Sequence, residues 1–471
     1  MEWSKDLNFV GGMQRKIQLS LAFVEEERGE TSRASSEGPE PRAARTNSQD
    51  PVQLNSLMEE VLDPKNLNEA YSQILSNRGA RTPGVDGMTV KQLRLYVQKH
   101  WPKIEAQLRT GRYRPHPVKR VEIPKPGGNG VRKLGIPSAL DRLLQQAILQ
   151  VLQPHFDRTF SEHSYGFRPC RSAHQAVAKA QEYQQEGYRW TIDMDLEKFF
   201  DRVHHDRLMA RLAIRIGDKI LLKLIRAFLT SGVMEGGLVS PTIEGAPQGG
   251  PLSPLLSNIV LDELDRELER RGHRFVRYAD DCNIYVRSRR AGERTLASVT
   301  RFVERKLRLK VNTSKSAVDR PWKRKFLGFS FTVNRIPKRR IAPESVQRFK
   351  TKIRELTRRK RGGDLETIIG RLSSYLRGWL GYFGHAQTPS VLRDLESWLH
   401  RRLRSLMWNR WKRGRKRFAE LRRLGVGRDL AAQTAGSSLG VWRISRSPAL
   451  NYAMPRKFWE SLGLPALIVK S

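Results

Sequence analysis

Arg274 to Arg287 reads RFVRYADDCNIYVR. Two apolar runs, Phe275 to Tyr278 and Ile284 to Val286, flank an acidic centre at Ala279, Asp280 and Asp281. That pattern predicts a β-hairpin with two adjacent carboxylates at its tip. Asp is a favoured turn residue, so the pair taken alone is explained by turn chemistry. The competing reading is a divalent-metal site. Hard cations such as Mg²⁺ take oxygen ligands and leave room for substrate phosphates, which suits nucleotidyl transfer.

A second acidic centre tips the balance. In Tyr188 to Val203, YRWTIDMDLEKFFDRV, alternation predicts a strand with Trp190, Ile192, Met194 and Leu196 on one face and Asp193 and Asp195 on the other. Transfer through two metals ~4 Å apart needs about three carboxylates from separate elements. A strand-end Asp plus the hairpin pair supplies them. Phe199 and Phe200 follow; such aromatics pack in a core, or lie under a sugar and read its 2′-hydroxyl.

Between the two centres lies Ala246 to Asn258, APQGGPLSPLLSN. Here Gln248, Gly249 and Gly250 permit close backbone approach to a ligand, and Ser253-Pro254 opens a helix. Upstream, Val121 to Gly135, VEIPKPGGNGVRKLG, predicts a basic hairpin from which Lys125 and Arg132 project, cations suited to a triphosphate. Ser138 or Asp141 then caps a helix whose apolar face runs to Pro154.

Composition bounds the partners. The 471 residues, 38% of them hydrophobic, suffice for two or three domains with real cores. A formal charge of +39, from 87 Lys and Arg against 48 Asp and Glu, implies a polyanionic partner. Cys170 and Cys282 cannot form a CxxC pair, which excludes a Cys-type zinc finger and a disulfide framework and fits a reducing interior. No apolar run approaches the ~20 residues of a membrane span, and the N-terminus has no secretory signal. The expected location is cytoplasmic, of bacterial type, with nucleoid association; no signal bears on oligomeric state.

Taken in order, these blocks resemble the group II intron-encoded reverse transcriptase and maturase family. The matching stretches are IPKPGGNGVRKLGIP, SEHSYGFRP, DMDLEKFFD, APQGGPLSPLLSN, RYADD, LKVNTSKS and KFLGFSF, seven blocks within about Gly84 to Phe331. The resemblance implies that Asp195, Asp280 and Asp281 bind Mg²⁺, with Mn²⁺ as substitute. It implies that Lys125 and Arg132 contact the incoming triphosphate, that Phe200, five residues beyond Asp195, is the sugar gate, and that Gln248 lies beside the templating pair. Asp193 drops out, because its spacing to the aromatic does not fit. Where the family commonly has Arg-Pro-Leu-Gly, this chain has Arg132-Lys133-Leu134-Gly135, which leaves Arg132 in register.

The remainder is helical and basic. Pro343 opens a helix with Val346, Phe349, Ile353 and Leu356 on one face, and Thr388-Pro389 opens another carrying Leu392, Leu395, Leu399 and Leu403. From Phe349 to Leu424 there are 21 Lys and Arg against 6 Asp and Glu, the composition of a duplex-binding face. Trp398, Trp408 and Trp411 serve core or stacking there, with core the expectation for Trp398. Tyr375 to Gly384, YLRGWLGYFG, resembles the family's maturase-specific thumb, and the tail with Gly440-Val441-Trp442-Arg443 resembles its DNA-binding region. Without cysteine pairs no HNH endonuclease is expected, so target entry would use single-stranded or nicked DNA.

The expectation is therefore an α+β right-hand polymerase. Its parts are a disordered leader over 1–55, an N-terminal extension and fingers over 56–187, a palm over 188–340, a helical thumb over 341–424 and a small basic region over 425–471. It copies RNA into DNA from dNTPs on a DNA primer or target DNA, and binds intron RNA to assist splicing and retromobility. Two rivals stand beside it. One is an RNA-binding splicing factor with little polymerase activity, against which the crowded like charges argue. The other is an RNA-templated polymerase recruited to defence or repair, which the sequence does not separate.

Overall fold

The computed structural model describes residues 54, 56–124, 130–242, 244–246, 248–358 and 364–468. The expected leader lies outside them apart from Leu54, and Lys125 and residues 359–363 lie outside them too. Two compact units divide the chain. One holds the described residues up to Ala176 with Tyr188–Asp319, the other Val177–Gly187 with Arg320 onward.

The strands of the first unit are β1 (Val118–Pro124), β2 (Val131–Ile136), β3 (Trp190–Met194), β4 (Val233–Glu235), β5 (Leu238–Ser240), β6 (Arg274–Tyr278), β7 (Asp281–Val286) and β8 (Ala317–Asp319). They form two four-stranded sheets, ordered β2-β1-β4-β5 and β6-β7-β3-β8. In the first sheet β1 and β2 are the expected basic hairpin, with Ile123 opposite Arg132. In the second, β3 is central, antiparallel to both β7 and β8. Its position buries Ile192 and Met194, while Asp193 stays half-buried.

One core joins this second sheet to the helices around it, through Leu144 and Ile148 of Ala139–Asp157, Leu256, Ile259 and Leu264 of Ser253–Arg270, and Phe275 and Ile284 of the hairpin. Pro254 stands in the first turn of Ser253–Arg270, where its missing N–H leaves no bond unmade. Ser138 Oγ accepts the N–H of Asp141 at the start of Ala139–Asp157. That helix does not stop at Pro154; it continues to Asp157. Buried Phe156 anchors the last turn in the core, where the loss of one hydrogen bond is outweighed by burial.

In the second unit, Pro343–Leu356, Leu365–Phe383 and Pro389–Arg410 are the long helices, followed by shorter ones. Phe349, Ile353, Leu372, Leu376, Leu395 and Leu399 interdigitate in its core. Strands β9 (Phe329–Phe331) and β10 (Arg339–Ile341) pair antiparallel beside it. Gln181 ties 177–187 into this unit, its Nε2 donating at 2.7 Å to Pro337 O and to Gln387 Oε1. Trp408 and Trp411 are core residues. Trp398 is half-buried and packs against that core, with Lys350 Nζ 5.7 Å and the Arg354 guanidinium 5.4 Å from its ring centroid. Those two cations share the Pro343–Leu356 helix with the apolar face and come out on its wet side. Among the described residues no helix is long and apolar enough to cross a membrane.

Candidate active site

Strands β6 and β7 meet in a two-residue turn, Ala279–Asp280, closed by the Tyr278–Asp281 pair. Ala279 takes a positive φ of 57°, a conformation two-residue hairpins usually give to glycine. Asp281 is therefore the first residue of β7 and exposed, while Asp280 sits in the turn and is half-buried.

Asp195 is the residue after β3. Its N–H donates to Ser316 Oγ at 3.0 Å, and its carbonyl accepts the Asn312 N–H at 2.8 Å. Since β3 pairs with β7 so that Met194 faces Cys282, the next residue on each strand brings Asp195 alongside Asp281 and the turn. Asp193 lies inside the strand opposite Asn283.

Electrostatics report the juxtaposition directly. Burial holds the Asp280 carboxyl above the ordinary carboxylate range, and the negative charge of Asp195 pushes the same way. A hydrogen bond from its own backbone N–H and the guanidinium groups of Arg132 and Arg277 pull it back. So the β1–β2 hairpin brings Arg132 within electrostatic reach of the acidic centre, although the two are 148 positions apart in the sequence numbering. The side chain of Arg132 is exposed on β2.

Lys315 also reaches this centre. Its Nζ stands 3.4 Å from Asp195 Oδ2. Sequence reasoning did not single it out, although it belongs to the LKVNTSKS block.

Phe199 and Phe200 form a short 3₁₀ turn with Asp201 and Arg202. Phe199 is 2% exposed and belongs to the core. Phe200 packs edge-on against it, ring centroids 5.2 Å apart, and keeps one side open. The carbonyl of Phe200 accepts the Ala246 N–H at 2.7 Å, which joins this turn to the segment leading to Gln248.

Gln248 is half-buried, its carbonyl accepting the Gly135 N–H at 2.9 Å. The glycines after it serve packing within the chain. A Cβ on Gly249, whose φ is 136°, would lie 2.7 Å from Gly135 O, and one on Gly250 would lie 2.4 Å from Gln145 Oε1. The close approach that the sequence suggests toward a ligand is made toward β2 and the Ala139–Asp157 helix.

Among the described residues no group of three His, Cys, Asp or Glu side chains is placed to hold a metal ion. The donor type is nonetheless the one a divalent cation takes. Asp195 and Asp280 are hard oxygen donors whose mutual repulsion a cation would remove.

Residues 123–331 match the reverse transcriptase (RNA-dependent DNA polymerase) family and residues 346–425 the group II intron maturase-specific domain. The chain therefore carries a reverse transcriptase domain followed by a group II intron maturase-specific domain. Protein YkfC of Escherichia coli (strain K12) is 38% identical over 224 residues, which are 47% of this chain and 58% of that one. Group II intron-encoded protein LtrA of Lactococcus lactis is 36% identical over 211 residues, 44% of this chain and 34% of that one. The chain thus spans between a third and three fifths of these relatives. A solved partial Cas6-RT-Cas1–Cas2 complex shares 27% identity at a TM-score of 0.35, over 53% of this chain and 42% of that one. The β6-β7-β3-β8 sheet with its acidic hairpin falls inside the reverse transcriptase match, which begins within β1, and Trp398 with its two cations falls inside the maturase-specific domain.

Proposed function

We propose that the chain is an RNA-directed DNA polymerase that also binds its host intron RNA, assisting splicing and retromobility. What supports this reading is the β3–β7 register, which sets Asp195 beside Asp281 and the turn that carries Asp280; the charges of Asp195 and Arg132 both act on Asp280. A binding protein gains nothing from carboxylates crowded against each other. A polymerase needs them.

In this reading Asp195, Asp280 and Asp281 hold divalent cations, Mg²⁺ or Mn²⁺, which supply charge stabilisation to the transferring phosphoryl group. Arg132, with Lys125 of the same hairpin, grips the triphosphate of the incoming dNTP. Phe200 presents its open face to the sugar, and buried Phe199 supports it from behind. Gln248, fixed through its carbonyl to Gly135, stands beside the templating base. Lys315 lies against Asp195 and offsets part of its charge. The maturase-specific domain supplies the RNA-binding cations, of which Lys350 and Arg354 beside Trp398 are the clearest.

The test is primer extension. Purified chain, a DNA primer on an RNA template, dNTPs and Mg²⁺ should give full-length DNA, and omission of either Mg²⁺ or the RNA template should abolish it. A chain that binds the template and incorporates nothing would contradict the reading.

A further inference from the structure

Arg277 is the fourth of the five residues of β6, yet its side chain and that of Asp265 are both 0% exposed. All five guanidinium donors are used. Nε donates to Asp265 Oδ1 at 2.7 Å and Nη2 to Asp265 Oδ2. Nη2 also donates to Ser164 Oγ at 2.8 Å, and Nη1 to Asn258 Oδ1 at 3.0 Å. The fifth bond runs from Nη1 to Ala279 O at 2.9 Å, the carbonyl of the strained residue in the hairpin turn.

The same turn is held from the other side. Gly166 packs its backbone on it so closely that a Cβ there would lie 2.2 Å from Ala279 N. Asn258 Nδ2 donates to Gly166 O at 2.9 Å, so one amide joins the guanidinium to the segment that covers the turn. Tyr165 N–H and Arg277 N–H complete the lattice, donating at 2.9 Å to Arg277 O and His163 O.

An apolar cluster would fill this volume without desolvating two charges. What an apolar cluster cannot do is fix a carbonyl at a stated point, as a saturated, planar fork does. The peptide so fixed is the one that leads into Asp280.

We propose that Arg277 is a positioning residue: with Asp265, Asn258, Ser164 and Gly166 it holds the Ala279–Asp280 turn in its left-handed geometry and so sets the place of the acidic pair. The proposal rests on the polymerase reading above. It concerns how that site is built.

The test uses the full chain and Arg277→Lys, which keeps the charge but offers three donors without a planar fork. Mn²⁺ affinity is measured by the electron paramagnetic resonance of free Mn²⁺, alongside thermal melting, template–primer affinity, kcat and dNTP KM. The variant should keep template–primer affinity, lose about tenfold or more in Mn²⁺ affinity, and lose about 100-fold in kcat with little change in KM. Adding Ala279→Gly to Arg277→Lys should return a large part of the lost kcat, because glycine takes a positive φ without steric cost. Wild-type Mn²⁺ affinity in Arg277→Lys, with activity lost only as the folded fraction is lost and no rescue by Ala279→Gly, would overturn the proposal.

If Arg277→Lys does not fold, Asn258→Ala carries the same measurement with the ion pair left whole. Weakened Mn²⁺ binding and kcat support the proposal, and wild-type values overturn it. Wild-type protein that neither binds Mn²⁺ nor extends a primer would remove the polymerase reading and this inference with it. Wild-type protein that does both, matched by Arg277→Lys, would remove the inference alone.

Discussion

Asp280 carries a cost that can be measured. Burial and the charge of Asp195 raise its pKa in the folded protein, so the folded state holds the proton more tightly than the unfolded chain does. Between the ordinary carboxylate pKa and the raised one, metal-free protein loses stability as pH rises, and the penalty is complete above the raised value. Asp280→Asn removes it. In the absence of divalent metal this variant should melt at a higher temperature than wild type near pH 7, and the gap should close as pH falls through the acidic range; equal melting curves at all pH values would contradict the burial argument. Phe199 and Phe200 separate in the same way. Phe199→Ala should destabilise by ~3 to 5 kcal/mol, the cost of emptying a core aromatic site, while Phe200→Ala should melt closer to wild type and admit ribonucleotides more readily. Ribonucleotide incorporation beside melting temperature checks both. The sequence shows the two aromatics as neighbours of equal standing, and only the 3₁₀ turn that follows β3 decides which of them faces out.

At the scale of elements, the acidic hairpin is legible because its signals are local. Apolar runs of strand length bracket a turn-forming pair, and β6 and β7 follow that pattern. The buried lattice beneath it is not legible. Arg277 reads as a charged residue on a strand, and its partners Asp265, Asn258 and Ser164 lie 12, 19 and 113 positions away. Periodicity carries no information on such pairings. The loop at Gln248 is intermediate: its glycines announce a close approach, but the object approached is Gly135 of β2. Gly249→Ala would therefore strain a backbone at φ 136° and push against Gly135 O, costing about 1 to 3 kcal/mol. It should also displace β2 and raise the dNTP KM through Arg132 before it changes template affinity. A normal KM in a folded Gly249→Ala protein would show that the loop and the fingers hairpin are not coupled.

On the scale of the whole molecule, the charge of +39 predicts polyelectrolyte behaviour. Affinity for structured RNA should fall linearly with salt on a log–log plot, with a slope of about −0.9 per phosphate contact on a duplex and about −0.7 on a single strand. In the proposed reading, part of that contact lies at Trp398. The ring packs against the core, as the sequence suggests, and its outer part is flanked by Lys350 and Arg354. Lys350→Gln with Arg354→Gln should flatten the slope by about one to two units if both cations touch phosphate, and an unchanged slope would place the RNA elsewhere. The division of labour this implies, chemistry in the first unit and much of the affinity in the charge of the chain, is the central claim. It is tested most directly by one pair of numbers for Asp280→Asn with Mg²⁺ and an RNA template: the extension rate and the template–primer affinity. Extension should fall to background while affinity stays within about twofold of wild type, because affinity comes from Lys and Arg and not from the acidic centre. Undiminished extension, or binding lost in step with it, would contradict the account.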